Sequence, residues 1–134
     1  MNTKVTICGL DTSTLPKLTS AQSIELLKKA HGGDEKARDQ FLTANLRLVL
    51  SVVQRFGGKK ENMDDIFQVG CVGLIKATEN FDTSLGLKFS TYAVPMIIGE
   101  IRRFLRDGAH VRISRSIRDT AYKILQTRQK FCLL

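Results

Sequence analysis

Gly70, Gly73 and Ala77 fall at i, i+3 and i+7 of the run IFQVGCVGLIKA, which otherwise reads as an apolar helix. A glycine inside a helix costs about 1 kcal/mol against alanine, so a helix here has to recover that loss through packing. Residues at this spacing share one face, and a face without side chains lets a second helix come very close. The segment therefore predicts a fold built by packing helix on helix.

The punctuation of the chain agrees. Thr19-x-x-Gln22 forms a capping box that opens a helix closed by Gly32-Gly33. Asp34 can cap a second helix that runs to Phe56 and stops at Gly57-Gly58. There Leu46, Val49, Leu50, Val53 and Phe56 follow the spacing of a buried face, widened by Leu48 and Val52, so this helix is expected to be central. A third helix starts near Asn62 or Met63, with Asp64 and Asp65 in its first turn, where the macrodipole favours acids. Asp82 to Lys88 reads as a loop. The fourth helix is expected from Ser90 to Asp107, with Pro95 near its first turn. Its inner face is Ile97, Ile101, Phe104 and Leu105, and Arg102, Arg103 and Arg106 point outward. Ser114 can cap a last helix with Ile117, Ala121, Ile124 and Leu125 inward and Arg115, Arg118 and Arg128 outward. Residues 1–18 read as an extended segment with a turn at Asp11–Ser13. No strand pattern or internal repeat stands out, and the fold class is all-α.

Charge narrows the function. The formal net charge is +8, which favours a polyanionic partner, nucleic acid before anionic membrane. The distribution is uneven. Residues 61–82 hold five acids against the single base Lys76, whereas 95–130 hold nine bases against three acids. One acidic and one basic surface suit a bridge between a basic protein and DNA better than a plain DNA coat. Cys8, Cys71 and Cys132 are far apart with no CxxC pair, so neither a disulfide framework nor a zinc site is expected. No apolar run approaches the roughly 20 residues that span a bilayer, and the N-terminus lacks a secretory signal; a cytoplasmic protein without membrane contact is expected. His31 and His110 stand alone, no P-loop or metal-ligand spacing occurs, and no catalytic set is suggested. The chain reads as a non-enzyme without metal or cofactor.

Two constellations carry the nucleic-acid reading. Phe81, Phe89 and Tyr92 bracket a loop and a helix start, and unpaired bases need π-faces to stack on. Phe81 and Phe89 are read first as core anchors, which leaves Tyr92 as the stacking candidate. Arg102, Arg103 and Arg106 present two or three guanidiniums on one stretch of helix, as phosphate contact requires. The acidic helix with Asp64, Asp65, Gln68 and Lys76 is a routine exposed face by composition alone.

The run from Asp64 to Asp107, with FQVGC-x-GL and KFSTYAVPMIIGEIRR, closely resembles the second conserved region of bacterial sigma-70 family sigma factors, in particular the sporulation type of sigma-F and sigma-G. The similarity extends from about Val5 to about Arg128. It implies a compact multi-helix region 2 domain over 19–110 after the segment 1–18, then the start of a region 3 helix over 111–134.

The resemblance also assigns roles. Asn45, Arg47, Leu48, Asp64, Asp65, Phe67, Gln68 and Lys76 match the contact with the clamp helices of the largest subunit of core RNA polymerase. Phe89, Ser90, Thr91 and Tyr92 match the segment that melts promoter DNA and captures an unpaired adenine of the −10 element, Tyr92 being the stacking residue. Arg102, Arg103, Arg106, Arg112 and Arg115 match the duplex and upstream contacts. An anti-sigma factor is the further partner implied.

Housekeeping members carry a Trp-Trp wedge where this chain has Pro95-Met96, which implies weaker autonomous melting. The family continues into a region that reads the −35 element, so a fragment or truncated form is expected. The implied function is a sigma factor directing polymerase to sporulation promoters; the alternative is a polymerase- or anti-sigma-binding module without productive promoter recognition.

Overall fold

The computed structural model describes residues 6–7, 9–56, 63–108 and 114–132. Five helices dominate: α1 (Ser20–His31), α2 (Glu35–Val53), α3 (Met63–Asn80), α4 (Phe89–Asp107) and α5 (Arg115–Cys132). Two short strands, β1 (Thr6–Ile7) and β2 (Leu10–Asp11), pair antiparallel ahead of them. Two residues per strand are too few to show as alternation, so this hairpin was not expected. The turn at Asp11–Ser13 is a 3₁₀ turn over Thr12–Thr14, capped by the Asp11 side chain.

The caps stand where the sequence placed them. Thr19 and Gln22 form the reciprocal box at α1, and the Asp34 carboxylate accepts from the Ala37 N–H at 3.1 Å. Gly33, at φ 96°, takes a left-handed conformation that side chains resist and turns the chain from α1 into α2. α2 ends at Val53 and tightens into a 3₁₀ turn over Gln54–Phe56; Gly57-Gly58 lies outside the described residues.

The chain divides into two compact units, Met1–Phe104 and Leu105–Leu134. In the first, the core draws on each helix: Leu27 from α1, Phe41, Val49, Leu50, Val52 and Val53 from α2, Ile66, Phe67, Leu74 and Ala77 from α3, and Ala93, Ile97 and Ile101 from α4. The small residues of α3 explain how these helices pack. A Cβ on Gly70 would lie 2.7 Å from Val49 Cγ1 of α2, and one on Gly73 would lie 2.8 Å from the Ile97 Cα of α4. α3 is thus pressed against both neighbours, and the glycines leave room for that contact. Leu46, Leu48 and Phe56 are half-buried rather than buried.

A second cluster joins Leu27, Phe41 and Phe81, with Phe89 packed against it. The rings of Phe41 and Phe89 meet edge to face at 4.8 Å, as do those of Phe81 and Phe89 at 5.4 Å. Thr78 is the one buried polar residue of this unit among the described residues. Its hydroxyl donates to the Leu74 carbonyl at 2.9 Å, and its own carbonyl lies 2.8 Å from His31 Nε2. The lone His31 therefore ties the end of α1 to α3.

α4 begins at Phe89, one residue before the expected start, with Pro95 in its second turn. Two expectations are corrected. Phe104 is 37% exposed, outside the buried line of Ile97 and Ile101. In the second unit α5 forms, yet Ile117, Ile124 and Leu125 are 62%, 62% and 54% exposed and Ala121 is exposed too. Its pattern identified the apolar face correctly, but none of the described residues of the unit covers that face. Of its arginines, Arg115 and Arg128 are exposed and Arg118 is half-buried.

Candidate protein-docking and nucleic-acid faces

α3 presents Asp65, Gln68, Val72, Lys76 and Glu79 along one side, since steps of three and four residues return to the same helix face. Asp64, Asp65, Gln68 and Glu79 are exposed. Val72 is 45% exposed between them, an apolar centre with a polar rim, as protein interfaces are built. Sequence reasoning passed over Val72; the signal was its position off the buried arc of Ile66, Gly70, Gly73 and Ala77.

Two residues expected on this face serve the fold. Phe67 is 4% exposed and belongs to the core. Lys76 Nζ reaches Glu100 Oε1 of α4 at 2.8 Å, and the Glu100 side chain is only 16% exposed. Arg103 adds a longer contact to the same carboxylate, at 3.5 Å. Arg38 and Glu79 pair at 2.7 Å between exposed side chains, which contributes little stability.

Asn45, Arg47 and Leu48 lie on α2, apart from the acids of the α3 first turn. Arg47 is within 3.5 Å of the Leu15 carbonyl. Asn45 Nδ2 donates to the Phe41 carbonyl at 2.8 Å, and its side chain lines a cavity of about 450 Å³. Ser20, Ser23 and Ile24 of α1, Leu87 and Lys88 of the loop, and Phe89 and Ser90 of α4 complete much of that lining. The cavity thus joins an expected docking residue, Asn45, to two expected base-capture residues, Phe89 and Ser90. No motif revealed this cavity, because its lining comes from three separated segments, within 20–27, 41–45 and 81–90.

The loop before α4 is held locally. The Asp82 carboxylate accepts from the Ser84 N–H at 2.8 Å and caps a 3₁₀ turn over Thr83–Leu85. The Ser84 hydroxyl, then its backbone N–H, hold the Asp82 carboxyl below its ordinary value. Gly86, at φ 65°, then redirects the chain into α4.

On α4, Thr91 and Tyr92 are exposed, and Tyr92 has 36% of its surface open. Its ring is braced against Phe81, with centroids 5.7 Å apart. Phe89, by contrast, has its ring engaged by Phe41 and Phe81. Pro95, Gly99, Arg102 and Arg103 are exposed and follow Tyr92 at helical spacing, so α4 carries one outward line from an aromatic ring to guanidiniums. Arg106, also exposed, falls in the second unit. Met96, beside Pro95, is half-buried. Arg115 is exposed on α5, in the second unit; Arg112 and His110 lie outside the described residues. Among the described residues no group of His, Cys, Asp and Glu is placed to hold a metal ion, and no helix is long and apolar enough to cross a membrane.

Comparison with known proteins gives these faces a context. The Sigma-70 region 2 family profile matches residues 41–111, which takes in α2 from Phe41 onward, α3 and α4. An RNA polymerase sigma-G factor of Clostridium acetobutylicum is 59% identical over 127 residues, covering 95% of this chain and 49% of that protein. The sigma-G factor of Bacillus subtilis is 57% identical over 128 residues, again 95% of this chain and 49% of the relative. The chain thus spans about half the length of these two relatives. A putative sigma-G factor of Bacillus thuringiensis subsp. kurstaki is 56% identical over 120 residues, 90% of this chain and 96% of that protein. With just over half of its residues matched by the family profile and a relative covered almost end to end, the chain belongs to the sigma-70 family through its region 2 domain.

Proposed function

We propose that this chain docks on core RNA polymerase through the α3 face and captures the melted −10 strand of promoter DNA on α4, in the manner of a sporulation sigma factor. The observation that carries the reading is the line on α4 from the half-open, braced Tyr92 to the exposed Arg102 and Arg103. A ring fixed from behind and open in front offers a stacking surface at low entropic cost. The arginines beyond it supply phosphate contacts that position the strand. The cavity beside Phe89 and Ser90 adds a second place for an unpaired base, with Asn45 as its polar contact. On α3, Asp65 and Gln68 around Val72 fit a basic helical partner such as the polymerase clamp. Sigma-G identity of the relatives supports sporulation promoters as the target.

The test separates the two faces. Binding of a labelled single-stranded non-template −10 oligonucleotide should weaken about tenfold or more in Tyr92→Ala, since one base stack contributes roughly 1–3 kcal/mol. Co-purification with core polymerase should survive that change and fall in Asp65→Ala with Gln68→Ala. Equal affinity for scrambled and −10 oligonucleotides would remove strand capture from the account.

A second reading has its own support. The uncovered face of α5, with Ile117, Ile124 and Leu125 between Arg115, Lys123 and Arg128, suits an acidic regulatory protein, as an interaction module bound by an anti-sigma factor requires. Such a module would show no preference among DNA sequences.

A further inference from the structure

One carboxylate lies between the two helices that carry the candidate faces. Glu100 belongs to α4, and its side chain is only 16% exposed. Its Oε1 oxygen accepts from Lys76 Nζ of α3 at 2.8 Å, the length of a charge-assisted hydrogen bond. The same oxygen lies 3.5 Å from Arg103 Nη1, one turn further along α4, an ion-pair contact longer than a hydrogen bond. The lysine holds the oxygen and the arginine stands off. Local chemistry favours the reverse. A pair at i, i+3 on one helix is already adjacent, and the guanidinium fork matches a carboxylate better than an ammonium does. Arg103 nevertheless keeps 60% of its side chain open to solvent.

We propose that Lys76 is a positioning residue for Arg103: by occupying Glu100 Oε1 it keeps that carboxylate from capturing the guanidinium, and so leaves Arg103 free for a phosphate. The reason is the shielding of Glu100. A largely buried carboxylate is costly without a counter-charge. Once the ammonium is removed, the guanidinium already in contact with Oε1 is its replacement. An arginine drawn down onto its own helix in this way is neutralised and turned from the ligand. The role rests on the reading of α4 as the DNA-binding helix. It gives a residue of α3 an effect on DNA binding that requires no contact between Lys76 and DNA, because Glu100 transmits it.

The test is a double-mutant cycle on DNA binding, with the full chain and a fluorescently labelled forked DNA titrated at several salt concentrations. Lys76→Met should weaken binding about threefold and lower the salt slope by about 1, as loss of the Arg103 phosphate contact does. Glu100→Gln should bind like the parent or up to about twofold tighter. In the Glu100→Gln background no carboxylate is left to capture Arg103, so Lys76→Met should then change binding by less than about 1.5-fold. The same silence is expected in an Arg103→Ala background. Lys76→Gln serves as a second lysine variant, and melting curves verify that each protein is folded at the assay temperature. Arg102→Ala reports on the DNA face independently. If it weakens binding while both lysine variants bind like the parent, the inference is overturned and the DNA face stands. An equal loss from Lys76→Met with and without Glu100 also overturns it, since Lys76 would then act through its own charge. Unchanged binding in both Arg102→Ala and Arg103→Ala would remove the DNA face and the role of Lys76 with it.

Discussion

Gly73 and Gly99 both lie inside helices, yet a side chain would meet backbone at the first and open space at the second. At Gly73 a Cβ would sit 2.8 Å from the Ile97 Cα and 3.2 Å from the Met96 carbonyl oxygen, backbone atoms that cannot swing away. Gly73→Ala should therefore destabilise by about 1–3 kcal/mol, whereas Gly99→Ala should stabilise by up to about 1 kcal/mol; urea unfolding of the two variants checks the opposite signs. Asp82 carries a pH prediction. Its carboxyl is held below the ordinary 3.8 by the Ser84 hydroxyl and N–H, so its contribution to the 3₁₀ turn is present above that value. The contribution is lost as pH falls through the lowered folded value. The Ser84 amide resonance should accordingly move with a midpoint below 3.8, and a midpoint at or above it would contradict the cap.

At the scale of elements, what could be read from the sequence is what short-range chemistry decides. The capping box at Thr19, the Asp34 cap and the close packing of α3 follow from neighbours within a turn or two, and all three stand. Burial of α5 does not, because periodicity reveals which face is apolar but not whether another element covers it. Phe104 fails for the same reason. The pairing of Lys76 with Glu100 joins residues 24 apart on two helices, beyond any local pattern. A double-mutant cycle on that pair should return a coupling of about 0.5–1 kcal/mol, since Lys76 remains partly solvated. The arginine face of α4 makes its own prediction: Arg102→Ala and Arg103→Ala should each lower the salt slope of duplex DNA binding by about 1, as the loss of one phosphate contact does.

For the whole molecule, the acidic and basic halves of the charge map correspond to two helices that share a packed interface. α3 carries the acids around Val72, α4 carries Tyr92 and the arginines, and Gly73 against Ile97 locks the two together. The sequence resemblance divided the same run into docking, base capture and duplex holding; Asp65 is exposed on α3, and Tyr92 and Arg102 are exposed on α4. The aromatic segment itself marked Phe89 as a core anchor, and its ring packs on Phe41 and Phe81; neither the cavity shared by α1, α2, the loop and α4 nor the burial of Phe67 was disclosed.

The central claim is that one compact unit holds protein on α3 and single-stranded DNA on α4. Site-specific photocrosslinking tests it most directly, with a photoreactive side chain at position 65 or at position 92 in a mixture of core polymerase and the −10 oligonucleotide. The account predicts polymerase crosslinks from position 65 and oligonucleotide crosslinks from position 92. Oligonucleotide captured equally from both positions, or polymerase captured from position 92 alone, would contradict it.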